Sequence, residues 1–241
     1  MGRATVKGLP PASRLGWGRQ SLLAGALWLL AVVFTVLVAP SSGAYFERFY
    51  GPVRPLVVMV GVGVVGGAAF WVLSRFGFVI VEGRRTLAGL RLAAIFATVL
   101  AIAVVVADVL LRYPEDLNVP VPRALLFYPA IGLTAEVAFH LVPLAVLLPV
   151  LNAVVPRVGR ERVAWFALAV VAVAEPVFQV LVGGGGTGSL DVYTWVHVLL
   201  FASLQLYVFR RFDFASMYGF RLVYYVYWHI LWGTIRIPVL F

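Results

Sequence analysis

The chain has no cysteine among its 241 residues. Disulfide scaffolds, thiolate metal sites and cysteine nucleophiles are therefore excluded. Charge is also scarce, because Asp, Glu, Lys and Arg make up 12% of the chain, whereas hydrophobic residues make up 63%. So few charged groups cannot cover a water-soluble fold of this composition, and disordered chains have the opposite balance. The sequence predicts an integral membrane protein, with membrane lipids as its first partners.

The net charge of +9 raises the question of nucleic-acid binding. The 19 Lys and Arg residues are scattered between apolar segments and do not cluster in one domain. This distribution argues against a nucleic-acid partner. In a membrane protein, an excess of Arg and Lys more often marks the cytoplasmic loops.

Seven segments are apolar over the roughly 20 residues that a helix needs to cross a bilayer. Strands of a membrane barrel would alternate polar with apolar residues, which these segments do not do. No segment between them is long enough to fold alone. The predicted fold class is therefore all-α, a polytopic transmembrane helix bundle that forms one integral membrane domain over residues 1–241. The predicted spans are residues 21–39, 55–74, 89–111, 124–154, 163–183, 191–209 and 214–238.

The basic residues between these spans predict the orientation of the chain. With the N-terminus inside and the C-terminus outside, the inner segments hold 13 basic residues and the outer segments 5. This bias favours that orientation in the cell membrane. The inner set is Arg3, Lys7, Arg14, Arg19, Arg75, Arg84, Arg85, Arg91, Arg157, Arg160, Arg162, Arg210 and Arg211. The outer set is Arg48, Arg54, Arg112, Arg123 and Arg236.

Glycines give two further expectations. Gly63 and Gly67 form a GxxxG pattern, which indicates close packing between helices. The run Gly183–Gly186, with Gly188, is expected to form a flexible outer loop between the fifth and sixth spans.

All three histidines and two glutamates fall inside predicted spans. An ionisable group at bilayer depth costs about 2.5–3.5 kcal/mol on insertion scales, so five of them need a common explanation. We expect them to share a polar site in the bundle interior. These candidate site residues are Glu136, His140, Glu175, His197 and His229.

Spacing along the spans refines this prediction. Glu136 and His140 are four residues apart and share one helix face. Arg221, Tyr225 and His229 form a stripe at intervals of four, which Trp232 and Arg236 continue. At the inner start of the last span, Arg221 is expected to extend to the lipid headgroups.

An aspartate and three prolines give two further expectations. Asp108, near the end of the third span, is expected to reach the membrane interface. Pro129, Pro143 and Pro149 are expected to kink the fourth span and to free backbone carbonyls for a polar interior.

The run AEVAFH at residues 135–140 resembles the first motif of the CAAX-protease and bacteriocin-processing family of intramembrane endopeptidases. That motif has two glutamates, two variable residues commonly followed by Phe, and then Arg. Glu136 matches the second glutamate and Phe139 the aromatic residue, whereas Ala135 and His140 replace the first glutamate and the arginine.

Later residues resemble the other two motifs of that family. The second motif is an aromatic residue with a histidine four positions on, which Tyr193 and His197 match one span later than expected. Glu175 lies in the expected span but is not a histidine. The third motif is a histidine with Asn commonly four residues later. His229 matches it, and Gly233 replaces the asparagine.

The resemblance implies hydrolysis of a peptide bond inside the membrane. A glutamate would activate water, and histidines would stabilise the developing oxyanion. We assign Glu136 as the base and His197 and His229 as the oxyanion donors, with His140 and Glu175 completing the site. A membrane-associated or prenylated peptide is the substrate that the resemblance implies.

Three alternatives remain open from the sequence. A divalent metal such as zinc could assist hydrolysis, although Glu136 and His140 do not form the HExxH pattern of zinc proteases. A catalytically inactive relative could act as a membrane scaffold or ligand-binding protein. His197 and His229 could also be paired axial ligands of a haem.

Overall fold

The computed structural model describes residues 16–182 and 188–241, and every regular element in these ranges is helical. This confirms the all-α prediction. Arg3, Lys7, Arg14 and the glycine run at 183–186 lie outside the described residues. The α-helices are α1 Trp17–Tyr50, α2 Pro55–Ser74, α3 Arg84–Leu111, α4 Ala124–Ala135, α5 Val142–Val154, α6 Arg160–Val171, α7 Ala174–Val182, α8 Ser189–Arg211, α9 Phe214–Tyr225 and α10 Gly233–Leu240.

Within the described ranges, five helical segments are long and apolar enough to cross a membrane. This agrees with the prediction of a membrane protein. The fourth of these segments joins α4 and α5 through a π-helical turn, Glu136–Leu141. The five segments are Trp17–Tyr50, Pro55–Ser74, Arg84–Leu111, Ala124–Val154 and Ser189–Arg211.

The other two predicted spans are also helical where they are described, but neither is a regular α-helix throughout. The fifth is broken between α6 and α7. Pro176 has no N–H to donate to the carbonyl of Ala172, so the regular hydrogen-bond ladder cannot continue through the break. The seventh contains a second π-helical turn, Val226–Trp232, between α9 and α10.

Helix α3 packs along α9 through small side chains. Ala93, Ala97 and Ala101 are buried at intervals of four and face a cluster that includes Phe220 and Tyr224. Small residues in this pattern let two helices approach closely. The close packing holds α9 against α3 and fixes the face that α9 turns towards α4 and α8.

A buried polar network ties the loop between α2 and α3 to the start of α9. The Asp213 carboxylate caps α9 by accepting from the backbone N–H of Ser216 at 2.8 Å. Asp213 also accepts from the N–H of Glu82, and Phe214 donates its N–H to the carbonyl of Val79. The beginning of α9 is therefore anchored before the helix enters the bundle.

The predicted GxxxG contact forms at only one of its two glycines. A Cβ at Gly63 would lie 2.5 Å from the ring of Trp28, whereas a Cβ at Gly67 would meet nothing within 4 Å. The Trp28 ring is held there because its Nε1 donates to the carbonyl of Met59 at 2.8 Å. Close packing therefore depends on Gly63.

We expect Gly63→Ala to lower the free energy of unfolding by about 1–3 kcal/mol, because the new methyl group overpacks the contact with Trp28. Gly67→Ala is the matched control, and it should leave stability unchanged or raise it by up to about 1 kcal/mol, because alanine is favoured over glycine within a helix. Titration of the protein with SDS in mixed micelles measures both values. Equal effects of the two substitutions would contradict this account of the contact.

Candidate functional site

The site begins at the π-helical turn Glu136–Leu141. Pro143 cannot donate to the carbonyl of Phe139, and the N–H of Val142 bonds to the carbonyl of Val137, five residues back. Short π-helical turns of this kind occur frequently at functional sites. Both Glu136 and His140 are fully buried in the bundle.

Glu136 accepts three short hydrogen bonds. Its Oε2 accepts from His140 Nδ1 at 2.6 Å. Its Oε1 accepts from Gln205 Nε2 and Arg221 Nε, each at 2.6 Å. The side chain is 0% exposed. Glu136 is therefore the buried end of a polar cluster.

Arg221 lies at the centre of this cluster and does not extend to the lipid headgroups as the sequence led us to expect. Its Nη1 and Nη2 donate to the two carboxylate oxygens of Glu175 at 2.9 and 2.8 Å. Nη1 also donates to the Tyr225 hydroxyl and Nη2 to Gln205 Oε1. Together with Nε, these bonds use all five N–H groups of the guanidinium. Two carboxylates from neighbouring helices hold the guanidinium inside the bundle.

His140 completes the group and lies between the two carboxylates. Its Nδ1 bonds to Glu136, and its Nε2 lies 3.7 Å from Glu175 Oε2. This Nε2 is buried without a hydrogen-bond partner among the described residues. Three of the five predicted site residues, Glu136, His140 and Glu175, thus meet around Arg221. We call these four residues the ionic cluster.

A cavity of about 520 Å³ adjoins the ionic cluster. Glu175, His197 and His229 line it, and so does Arg221. Neither Glu136 nor His140 is in its lining, so the predicted base lies behind the cavity wall. The aromatic lining is Tyr45, Phe49, Tyr113, Phe127, Tyr128, Phe139, Phe178, Trp195, Phe201, Tyr224, Tyr225 and Trp228. We call this space the aromatic cavity.

Polar contacts at the rim connect the surrounding elements. Arg48, at the end of α1, forms an ion pair with Asp116 and donates to its carbonyl oxygen at 2.8 Å. The Tyr113 hydroxyl lies 2.8 Å from that of Thr194 on α8. Burial raises the pKa of Tyr113, so its phenol stays protonated at neutral pH.

His197 belongs to a chain of hydroxyl contacts. Its Nδ1 lies 3.1 Å from the Tyr193 hydroxyl, and its Nε2 lies 2.9 Å from the Tyr224 hydroxyl. Both ring nitrogens are therefore engaged. This arrangement does not suit the haem alternative, because an axial ligand must offer one nitrogen to the iron.

His229 is oriented by a residue that the sequence did not single out. Its Nδ1 donates to Asn118 Oδ1 at 2.7 Å, and its ring stacks on Tyr128 with centroids 4.4 Å apart. A neutral imidazole in this tautomer carries its lone pair on Nε2. Asn118 also packs against Gly233, where an added Cβ would lie 2.9 Å from the amide nitrogen.

A separate buried ion pair lies beyond His229 along the same helical segment. Asp108 was expected at the membrane interface, but it is 0% exposed and accepts from Arg236 Nε at 2.7 Å and Nη2 at 2.9 Å. Trp232 Nε1 donates to the same carboxylate at 2.6 Å. Arg236 also donates to the backbone carbonyls of Tyr113 and Pro114. This pair attaches α10 to the end of α3.

The residues do not fit the divalent metal considered from the sequence. In residues 16–182 and 188–241, no three His, Asp or Glu side chains are placed to hold a metal ion. Glu136, His140 and Glu175 come nearest together, but the Arg221 guanidinium bonds to both carboxylates. The guanidinium therefore already occupies the carboxylates that a metal would need.

Among the site residues that the sequence analysis did not select, one could have been found from the sequence. Arg221 is ionisable and lies within a predicted span, which is itself an indication of function. Gln205, Tyr224 and Asn118 are ordinary in sequence, and only their contacts reveal them.

Fold and site together define a helical membrane protein with a buried ionic cluster beside an aromatic cavity. No protein-family model, curated protein sequence or solved structure matches the chain.

Proposed function

We propose that the protein is an intramembrane peptidase, a divergent relative of the CAAX-protease and bacteriocin-processing family. Its substrate would be a membrane-associated peptide that enters the aromatic cavity. The observation that carries this proposal is that one glutamate and two histidines, Glu175, His197 and His229, line the same cavity. A concave, mainly apolar site with a few convergent polar groups is the usual form of a binding or active site.

The proposed roles differ from those first assigned. Glu136 does not line the cavity, so Glu175 takes the role of the carboxylate that accepts a proton from water. His229 presents Nε2 as a second polar group, because Asn118 holds its Nδ1. His197 positions the Tyr224 hydroxyl, which can donate to a developing oxyanion.

Three departures from the family motifs have spatial counterparts that support the proposal. Where Asn would follow His229, Gly233 leaves room, and Asn118 occupies the space next to it. Where the first motif would have Arg, the chain has His140, and Arg221 pairs with Glu136 instead. Ala135 replaces the first glutamate and lines the cavity together with Glu175.

We also propose that the chain crosses the cell membrane seven times, with its N-terminus inside. The bias of Arg and Lys towards the inner segments supports this orientation. The cavity rim at Arg48, Tyr113 and Asp191 then belongs to the outer half of the bundle. A substrate would reach the cavity from the outer leaflet or from the outer surface.

A second candidate is a non-catalytic protein that binds a ligand in the same cavity. The bidentate bond between Arg221 and Glu175 favours it, because both carboxylate oxygens are already engaged. Such a protein would use the ionic cluster only to recognise a polar group.

Hydrolysis can be tested without knowing the natural substrate. Purified protein in proteoliposomes would be incubated with a mixture of synthetic membrane-spanning peptides in oxygen-18-enriched water. Mass spectrometry would detect new peptide termini that carry one oxygen-18. We expect cleavage by the wild type and a loss of about 10²–10⁴-fold in Glu175→Gln, the range for removal of a general base.

Glu161→Gln is the matched control, because Glu161 is exposed at the start of α6 and lies away from the cavity. It should cleave at the wild-type rate. Unchanged cleavage in Glu175→Gln would overturn the assignment of Glu175. Peptide binding without oxygen-18 incorporation in the wild type would favour the ligand-binding candidate.

A further inference from the structure

The ionic cluster has an unequal number of charges if each group carries its ordinary charge. Glu136 and Glu175 supply two negative charges, and Arg221 supplies one positive charge. The side chains of all three are at most 6% exposed. An uncompensated charge in such surroundings costs several kcal/mol. A further positive charge or a bound proton would remove this cost.

His140 is placed to supply that proton. Its Nδ1 donates to Glu136 Oε2 at 2.6 Å, so this nitrogen already carries hydrogen. Its Nε2 lies 3.7 Å from Glu175 Oε2 and has no other partner in the described part of the chain. If both atoms lacked a proton, two lone pairs would face each other in a buried site. A proton on either atom turns this contact into an attraction.

The remaining neighbours of the cluster do not provide the missing charge. From α8, Gln205 contributes an amide that bonds to Glu136 and Arg221. From α9, Tyr225 contributes a hydroxyl that accepts from Arg221. Both groups are neutral in their ordinary states. The charged groups that face His140 are thus Glu136 on its own helical segment, Glu175 on α7 and Arg221 on α9.

We infer that the ionic cluster binds one extra proton, held by either His140 Nε2 or Glu175 Oε2. With this proton bound, the ionic cluster is electrically neutral. When the 3.7 Å contact shortens to hydrogen-bond distance, the proton can pass between Nε2 and Oε2, and the Glu175 carboxyl lines the aromatic cavity. His140 is then a buried proton-binding group next to Glu175, on the side away from the aromatic cavity. This proton-binding site does not depend on whether the protein hydrolyses peptides.

Nitrogen-15 NMR of the histidine rings tests the inference without any substrate. The chain has only three histidines, so protein labelled at histidine and reconstituted in lipid bilayers gives a simple spectrum. His197→Gln and His229→Gln assign two rings and leave His140 by elimination. Near neutral pH we expect either two protonated nitrogens on His140 or a protonated Glu175. The second case would be seen as a carboxylic-acid C=O infrared band that disappears in Glu175→Gln.

A variant of Glu175 tests whether the negative charge of the cluster is what binds the extra proton. In Glu175→Gln one negative charge is removed, so the cluster is neutral without the extra proton, and His140 should lose its Nε2 proton. Glu161→Gln, at an exposed glutamate, should leave the His140 signals unchanged. A neutral His140 together with an ionised Glu175 in the wild type would overturn the inference, whatever the outcome of the peptide-cleavage assay.

Discussion

Arg221→Met is expected to lower the free energy of unfolding by about 3–5 kcal/mol, the cost of removing one partner from a buried ion pair. The substitution leaves Glu136 and Glu175 without the guanidinium that now bonds to both. It also removes partners from Gln205 and Tyr225. SDS titration in mixed micelles measures the loss. Few single substitutions in this chain should be as damaging.

Two further variants separate this explanation from a loss of packing volume. The triple variant Glu136→Gln, Glu175→Gln and Arg221→Met should recover most of the lost stability, because no unpaired charge remains. Arg91→Met, at an exposed position on α3, should change stability within about 0.5 kcal/mol. A triple variant no more stable than Arg221→Met would show that charge pairing is not the cause.

The second large effect is expected at the buried ion pair between Asp108 on α3 and Arg236 on α10. Asp108→Ala should destabilise the protein by about 3–5 kcal/mol, because it leaves the buried Arg236 guanidinium without its carboxylate. Trp232 would lose its acceptor as well. Since these bonds attach α10 to α3, the C-terminal helix should also become more sensitive to protease than in the wild type.

Asp116→Ala is the matched control for this prediction. Asp116 also pairs with an arginine, Arg48, but its side chain is 68% exposed. Exposed ion pairs contribute about 0–1 kcal/mol, so this variant should be close to the wild type. Similar losses in Asp108→Ala and Asp116→Ala would mean that burial does not control the strength of these pairs.

The helical segments could be predicted closely because the signal is carried by long apolar runs. Residues 55–74 and 124–154 were predicted with the bounds that the structure gives. The cost of placing ionisable groups in lipid also predicted that Glu136, His140 and Glu175 lie close together in the bundle interior. That argument says such groups meet, but it does not say which partners they choose.

The parts that could not be predicted depend on contacts between distant segments. Arg221 was assigned to the headgroups because depth along one helix was the only information, whereas its position is decided by Glu136 and Glu175 on other helices. Asn118 lies in a connecting loop, and its position is explained by the hydrogen bond with His229 and the space at Gly233, both on a distant segment. The break before Pro176 and the π-helical turn before Pro143 have a local cause in the missing proline N–H groups, whereas the turn Val226–Trp232 contains no proline that could have indicated it.

The π-helical turn Val226–Trp232 has a consequence for how this chain can change in evolution. A π-helical turn holds about one residue more than an α-helical turn, because its hydrogen bonds span five residues instead of four. Deleting one residue within 226–232 can therefore restore a regular α-helix and leave Arg236 facing Asp108. The same deletion within α9 would rotate everything that follows by about 100°, and Arg236 would turn away from Asp108. Relatives of this protein should therefore differ in length within this turn more readily than within α9, and an alignment gap there would mark a chain whose last segment is a regular helix.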